Sequence, residues 1–161
     1  FVIKTVFDRY AELTKNEICN AEKILNVKFP ALFKYMIQRY SGGRFKENNY
    51  IQFEDNLDIE VYEFLEFDLD KVDNFIYWNS EEFDGYIDGI VYFARTTTDG
   101  WIAFDYRENL DTPSIVTTFH DEIQYLEDGL VFLAKDFNTF MNMLTPNPEP
   151  YDDDYRWPDE L

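Results

Sequence analysis

Any Ser-His-Asp or Cys-His arrangement in this chain has to use His120, the one histidine among 161 residues. It follows Phe119 at the end of a strand pattern and precedes Asp121 and Glu122, which reads as a solvated strand-end side chain rather than a general base. Cys19, the one cysteine, rules out an internal disulfide. Between Ile18 and Asn20 on a helical pattern, it reads as a small buried core residue rather than a nucleophile. One cysteine and one histidine do not make a zinc site. The six glycines fall at Gly42, Gly43, Gly85, Gly89, Gly100 and Gly129, with no phosphate-binding spacing. Carboxylates remain. Asp152, Asp153 and Asp154 offer oxygen ligands to a hard cation, but the stretch lacks the glycine and closing glutamate of a calcium loop. Paired carboxylates hydrolyse glycosides, yet among 33 acidic residues two close together prove little. The chain is therefore read as non-catalytic, without metal or cofactor.

The acids are placed, not spread. Between Glu54 and Asp88 stand thirteen acidic residues and one base, Lys71, a segment charge of −12. Residues 1–53 carry +4, and the whole chain −19. The acidic segment is also rich in Ile, Val, Leu, Phe, Tyr and Trp, so it can fold where a charged tail would stay disordered. Such a surface repels nucleic acid and anionic lipid and attracts basic proteins or cations. Outward carboxylates such as Asp58, Glu60 and Glu66 also have a purely structural reading: they discourage edge-to-edge aggregation of strands.

The elements that must hold these residues can be read from periodicity. Ile3, Val6, Phe7, Tyr10 and Leu13 recur at helical spacing. Thr14-Lys-Asn-Glu17 is a capping box ahead of a helix over 15–27. Pro30 suits the first turn of a second helix over 31–40, and Ser41-Gly42-Gly43 stops it. The period then changes. Tyr50 to Phe53 is a short strand, and 57–67 alternates apolar and acidic residues. Asp68 is a candidate cap for a helix running to about Trp78, and Glu81 to Gly89 is an acidic loop. Strands follow at 89–95 and 101–106 across an Asp99-Gly100 turn, then at 114–119. A last helix covers 133–144. No apolar run is long enough to span a membrane and no signal peptide opens the chain, so a cytoplasmic protein is expected. Residues 1–145 read as a single domain. Residues 146–161 read as a Pro-rich acidic tail, folded back through Tyr151, Tyr155 or Trp157.

The order of these pieces resembles the SUKH superfamily, the Smi/Knr-like proteins. Glu22, Val27, Phe29-Pro30, Phe33, Met36 and Gly42-Gly43 carry the first part of the resemblance. Ala103-Phe-Asp105-Tyr-Arg107 and Ala134-Lys-Asp-Phe137-Asn-Thr-Phe140 carry the second. The resemblance covers roughly residues 14–145. It implies an α+β fold in which a curved, mostly antiparallel sheet packs against helices. It also implies no catalytic residues. Many bacterial members are immunity proteins that neutralise toxin domains, often nucleases or deaminases, and fungal relatives are regulatory interaction proteins.

The expectation is thus a binding protein whose partner is a basic protein, a toxin domain, and neither nucleic acid nor membrane. The partner-binding carboxylates are Glu54, Asp55, Asp58, Glu60, Glu63, Glu66, Glu81, Glu82, Asp84 and Asp88. Tyr62, Phe64, Trp78 and Tyr86 are candidate aromatic anchors, although an aromatic on a sheet more often belongs to the core. The alternative is a regulatory scaffold without a toxin partner.

Overall fold

Sixteen phenylalanines and twelve tyrosines have to be buried by a chain of this size, and the core is organised around that demand. In the computed structural model, which describes residues 3–54, 57–68, 70–72, 74–118 and 129–148, Phe33 lies at the centre with no exposed surface. Its ring stands 5.0 to 5.9 Å from those of Phe29, Phe64, Phe93, Phe104 and Phe137. All of these contacts are edge-on, the geometry that sets a positive ring edge on a negative face.

Two helices supply one side of that core. Thr14 starts α1 (Lys15–Leu25): its hydroxyl accepts from the Glu17 amide at 3.2 Å while the Glu17 carboxylate accepts from the Thr14 amide at 3.3 Å. Asn26, with φ at 53°, ends α1 in the left-handed region, two residues short of the expected limit. Helix α2 (Ala31–Tyr40) buries Phe33, Met36 and Ile37. Gly42 then takes a φ of 66°, and a Cβ there would also press on Glu66 at 3.3 Å. Glu22 ties the two helices together. Its carboxylate accepts from the Phe29 amide at 2.8 Å and sits 3.8 Å from Lys34 Nζ.

The strands are β1 (Val6–Asp8), β2 (Arg44–Glu47), β3 (Tyr50–Glu54), β4 (Leu57–Phe64), β5 (Ile90–Thr96), β6 (Trp101–Asp105), β7 (Ser114–Thr117) and β8 (Val131–Ala134). They form one antiparallel sheet in the order β1-β2-β4-β5-β6-β7-β8, with β3 also paired to β4. Bulges in β4 and β5, at Val61/Glu63 and Tyr92/Ala94, bend the strands. Among the described residues there are two further short helices, α3 (Phe75–Trp78) and α4 (Phe137–Met143). This is the expected α+β architecture. Among the described residues, no helix is long and apolar enough to cross a membrane.

Several local expectations are corrected. Residues 3–13 form no helix but hold the short strand β1, because Phe7 is taken up by rings on three other elements: Tyr40, Phe45 and Phe64 at 4.6, 4.7 and 5.5 Å. The helix expected from Asp68 shrinks to α3. Asp68 Oδ1 instead accepts from the Asp70 amide at 3.0 Å, and Asn74 caps α3 through the Tyr77 amide. Ala134 lies in β8, and α4 starts only after Asp136, whose carboxylate accepts from the Thr139 amide at 2.7 Å. Strands β2 and β8 have no counterpart among the expected strands. Cys19 is exposed, since it stands one residue past Ile18 and turns away from the buried stripe. Phe64 is fully buried and is no surface anchor. His120, Asp152, Asp153, Asp154 and the tail aromatics lie outside the described residues.

Candidate functional site

Strand register alone lines up one row of side chains across four strands. Arg44 of β2 pairs with Glu63 of β4, Glu63 with Arg95 of β5, and Arg95 with Trp101 of β6. Registered partners share a sheet face, and Phe64, the next residue after Glu63, points into the helical core. The row therefore lies on the face away from α2. Arg95 holds its guanidinium 5.1 Å from the Trp101 ring, with the Asp99 carboxylate 3.8 Å away. Arg44 stands 5.1 Å over Tyr62. Burial pushes the Glu63 carboxyl above its ordinary range; Arg95 and Arg44 pull the other way, and Glu66 adds to the rise. Among the described residues no donor forms a hydrogen bond with the Glu63 carboxylate. A cavity of about 380 Å³ beside it is lined by Glu66, Lys71, Val72, Trp78 and Arg95.

The acidic loop is carried onto this same face. Trp78 and Phe83 close over Trp101 at 5.0 and 5.5 Å. Asn79 fixes the start of the loop. Its amide donates to the Phe75 and Tyr92 carbonyls at 3.0 and 2.9 Å, and its carbonyl accepts from the Tyr92 amide at 2.7 Å. Tyr92 in turn donates its hydroxyl to the Gly85 carbonyl at 2.6 Å, and burial pushes that phenol well up from its ordinary value. The loop's own field is visible at Tyr86, whose phenol is raised by burial and then by Asp88 and Glu81.

The ten expected binding carboxylates fall into three groups. Glu81, Glu82, Asp84 and Asp88 are exposed on the loop; Asp88 accepts from the Tyr86 hydroxyl at 3.5 Å. Asp58, Glu60 and Glu66 are individually engaged, whereas Glu63 lies between Arg44 and Arg95 without a hydrogen bond from the described residues. Asp58 accepts from the Tyr50 hydroxyl at 2.9 Å, Glu60 from the Asn147 amide at 3.0 Å, and Glu66 from Lys71 at 2.8 Å. Glu54 ends β3, and Asp55 lies outside the described residues. The sequence reading missed the bases set among these acids. Arg44 and Lys46 come from the unread β2, and together with Asp8, Arg9, Glu60 and Tyr62 they line a shallow basin of about 710 Å³. The face is thus mixed in charge over β2 and β4 and purely acidic over the 79–89 loop.

Half-buried Tyr62, Trp78 and Tyr86 remain available as aromatic contacts on that face. No histidine, cysteine and carboxylate grouping of three able to hold a metal ion occurs among the described residues. The model of the SMI1 / KNR4 family (SUKH-1) matches residues 12–143. No curated protein matches the chain.

Proposed function

Because the chain belongs to the SMI1 / KNR4 family (SUKH-1), we propose that it is a non-catalytic protein-binding domain, an immunity protein that neutralises a nuclease- or deaminase-type toxin domain. The observation that carries this reading is the concentration of −12 between Glu54 and Asp88, with Glu81, Glu82, Asp84 and Asp88 exposed to solvent. A domain that acts on nucleic acid holds the phosphate backbone with Lys and Arg. Docking an acidic surface there covers those bases. Long-range attraction speeds encounter, while desolvated contacts around Trp78 and Tyr86 set the lifetime.

The test is co-purification from the source cell, followed by stopped-flow association with the captured toxin domain. The triple variant Glu81→Lys, Glu82→Lys, Asp84→Lys is expected to slow association by about ten-fold or more, and so is raising the salt. Folding stability should change little, since exposed charges contribute little to it. An on-rate that ignores both changes would mean that the acids only keep the protein soluble. A partner that is not a toxin would favour a regulatory scaffold.

A further inference from the structure

Helix α1 leaves one large aliphatic side chain without a cover. Ile24 is 60% exposed, although Ile18 and Ala21 on the same helix are buried. It opens onto a groove of about 410 Å³ between α1 and the chain entering α3, within the range of about 300–1,000 Å³ typical of binding pockets. The floor is apolar: Leu13, Ala21, Ile24, Phe67 and Ile76. The rim is acidic: Glu12, Glu17, Glu66, Asp68 and Asp70. Glu17 is committed to the α1 cap, Glu66 to Lys71 and one oxygen of Asp68 to the Asp70 amide, while the exposed side chains of Glu12, Asp68 and Asp70 face solvent around an apolar base.

Charge decides the occupant. A second copy of the chain would bring a second acidic rim, and an anionic membrane or a nucleic acid would be repelled. An acidic rim around an apolar floor complements a side chain pair of opposite character. We propose that this groove receives a basic segment of the protein partner. One aliphatic side chain packs on Ile24 and Ile76, and flanking Lys or Arg residues meet Glu12, Asp68 and Asp70. This deepens the function proposed above and rests on it for the kind of partner. Glu66 lines both this groove and the cavity beside Glu63, so a partner held on the acidic face can reach it.

The probe is a short synthetic peptide of leucines flanked by lysines, titrated into isotope-labelled protein at physiological salt and followed by amide chemical shifts. Shifts are expected at Ala21, Ile24, Phe67 and Ile76. A counterpart with serine in place of leucine should bind about ten-fold more weakly, a loss of roughly 1.4 kcal/mol, and one with glutamate in place of lysine should not bind. Ile24→Arg should weaken the peptide by a similar factor at an unchanged melting temperature, because that side chain is already exposed. Asp68→Asn with Asp70→Asn should weaken it in a salt-dependent way, whereas Glu82→Lys should not. Shifts confined to β4 or the 79–89 loop, equal binding of the serine peptide, or an indifferent Ile24→Arg would each overturn the groove. If the toxin domain binds and Ile24→Arg leaves that binding intact, the groove fails while the immunity reading stands. If the peptide fills the groove but no toxin is bound, the reverse holds.

Discussion

Asn79 takes the place of a missing strand residue. Strand β4 leaves β5 after the Leu65 amide bonds the Phe93 carbonyl at 2.9 Å, and the amide and carbonyl of Tyr92 on that edge have no strand to meet. The Asn79 side chain carries both a donor and an acceptor, so it closes the edge as a peptide group would. Replacing it with alanine strands three buried backbone groups. Asn79→Ala is therefore expected to cost about 3 kcal/mol, read as a lower urea midpoint at an unchanged slope. A loss under about 1 kcal/mol would mean that water replaces the amide. Nothing in the sequence marked this residue, because its partners Phe75 and Tyr92 lie in different elements. The same holds for the carboxylates. Their acidity and alternation along β4 were legible. That Glu60 is held by Asn147, 87 residues away, was not, and neither was the flanking of Glu63 by Arg44 and Arg95.

Local chemistry was legible at the scale of elements wherever it was strong. The Thr14–Glu17 box, Pro30 and the Gly42 stop each act within a few residues, and α1 and α2 fall where those signals put them. The reading failed where a three- or four-residue element is made by distant contacts. Strand β1 exists because Phe7 packs among Tyr40, Phe45 and Phe64, and β2 follows two glycines with too few residues to show a period. Helix α4 illustrates the intermediate case: its apolar spacing was read, but its start was not, since the cap is a single carboxylate. Hydrogen bonding from Thr139, through its side chain and then its backbone, holds the Asp136 carboxyl below its ordinary value of 3.8. A lowered pKa in the folded state means that the ionised form contributes stability above that ordinary value. The contribution is lost as pH falls through the lowered one. Asp136→Ala should cost about 1 kcal/mol at neutral pH, and thermal melts should show the gap to the parent closing as the pH drops below 3.8. A gap that stays constant into acid would mean that the cap acts through the shape of the turn rather than through charge.

For the molecule as a whole, local pairing cannot neutralise the charge. Even if every one of the 14 bases took an acidic partner, 19 of the 33 acids would be left over. Pairs such as Lys71 with Glu66 and Arg107 with Asp105, each at 2.8 to 2.9 Å, therefore relieve repulsion only where they stand. The 79–89 loop holds four exposed carboxylates, Glu81, Glu82, Asp84 and Asp88, and no base, and the fold carries the self-repulsion of that arrangement. A bound basic partner would remove the repulsion; in its absence, salt can do so. Between about 0.01 and 0.15 M ionic strength the screening length falls from roughly 30 to 8 Å, which is enough to uncouple charges on opposite sides of the loop but not neighbours within it. The melting temperature of the free protein should therefore rise over that interval. It should rise less in the Glu81→Lys, Glu82→Lys, Asp84→Lys variant, which has already lost the densest part of the field. Calorimetry at the two salt concentrations measures both effects. Equal responses in the parent and the variant would place the repulsion in the rest of the chain and remove the loop as the focus of the molecule's charge.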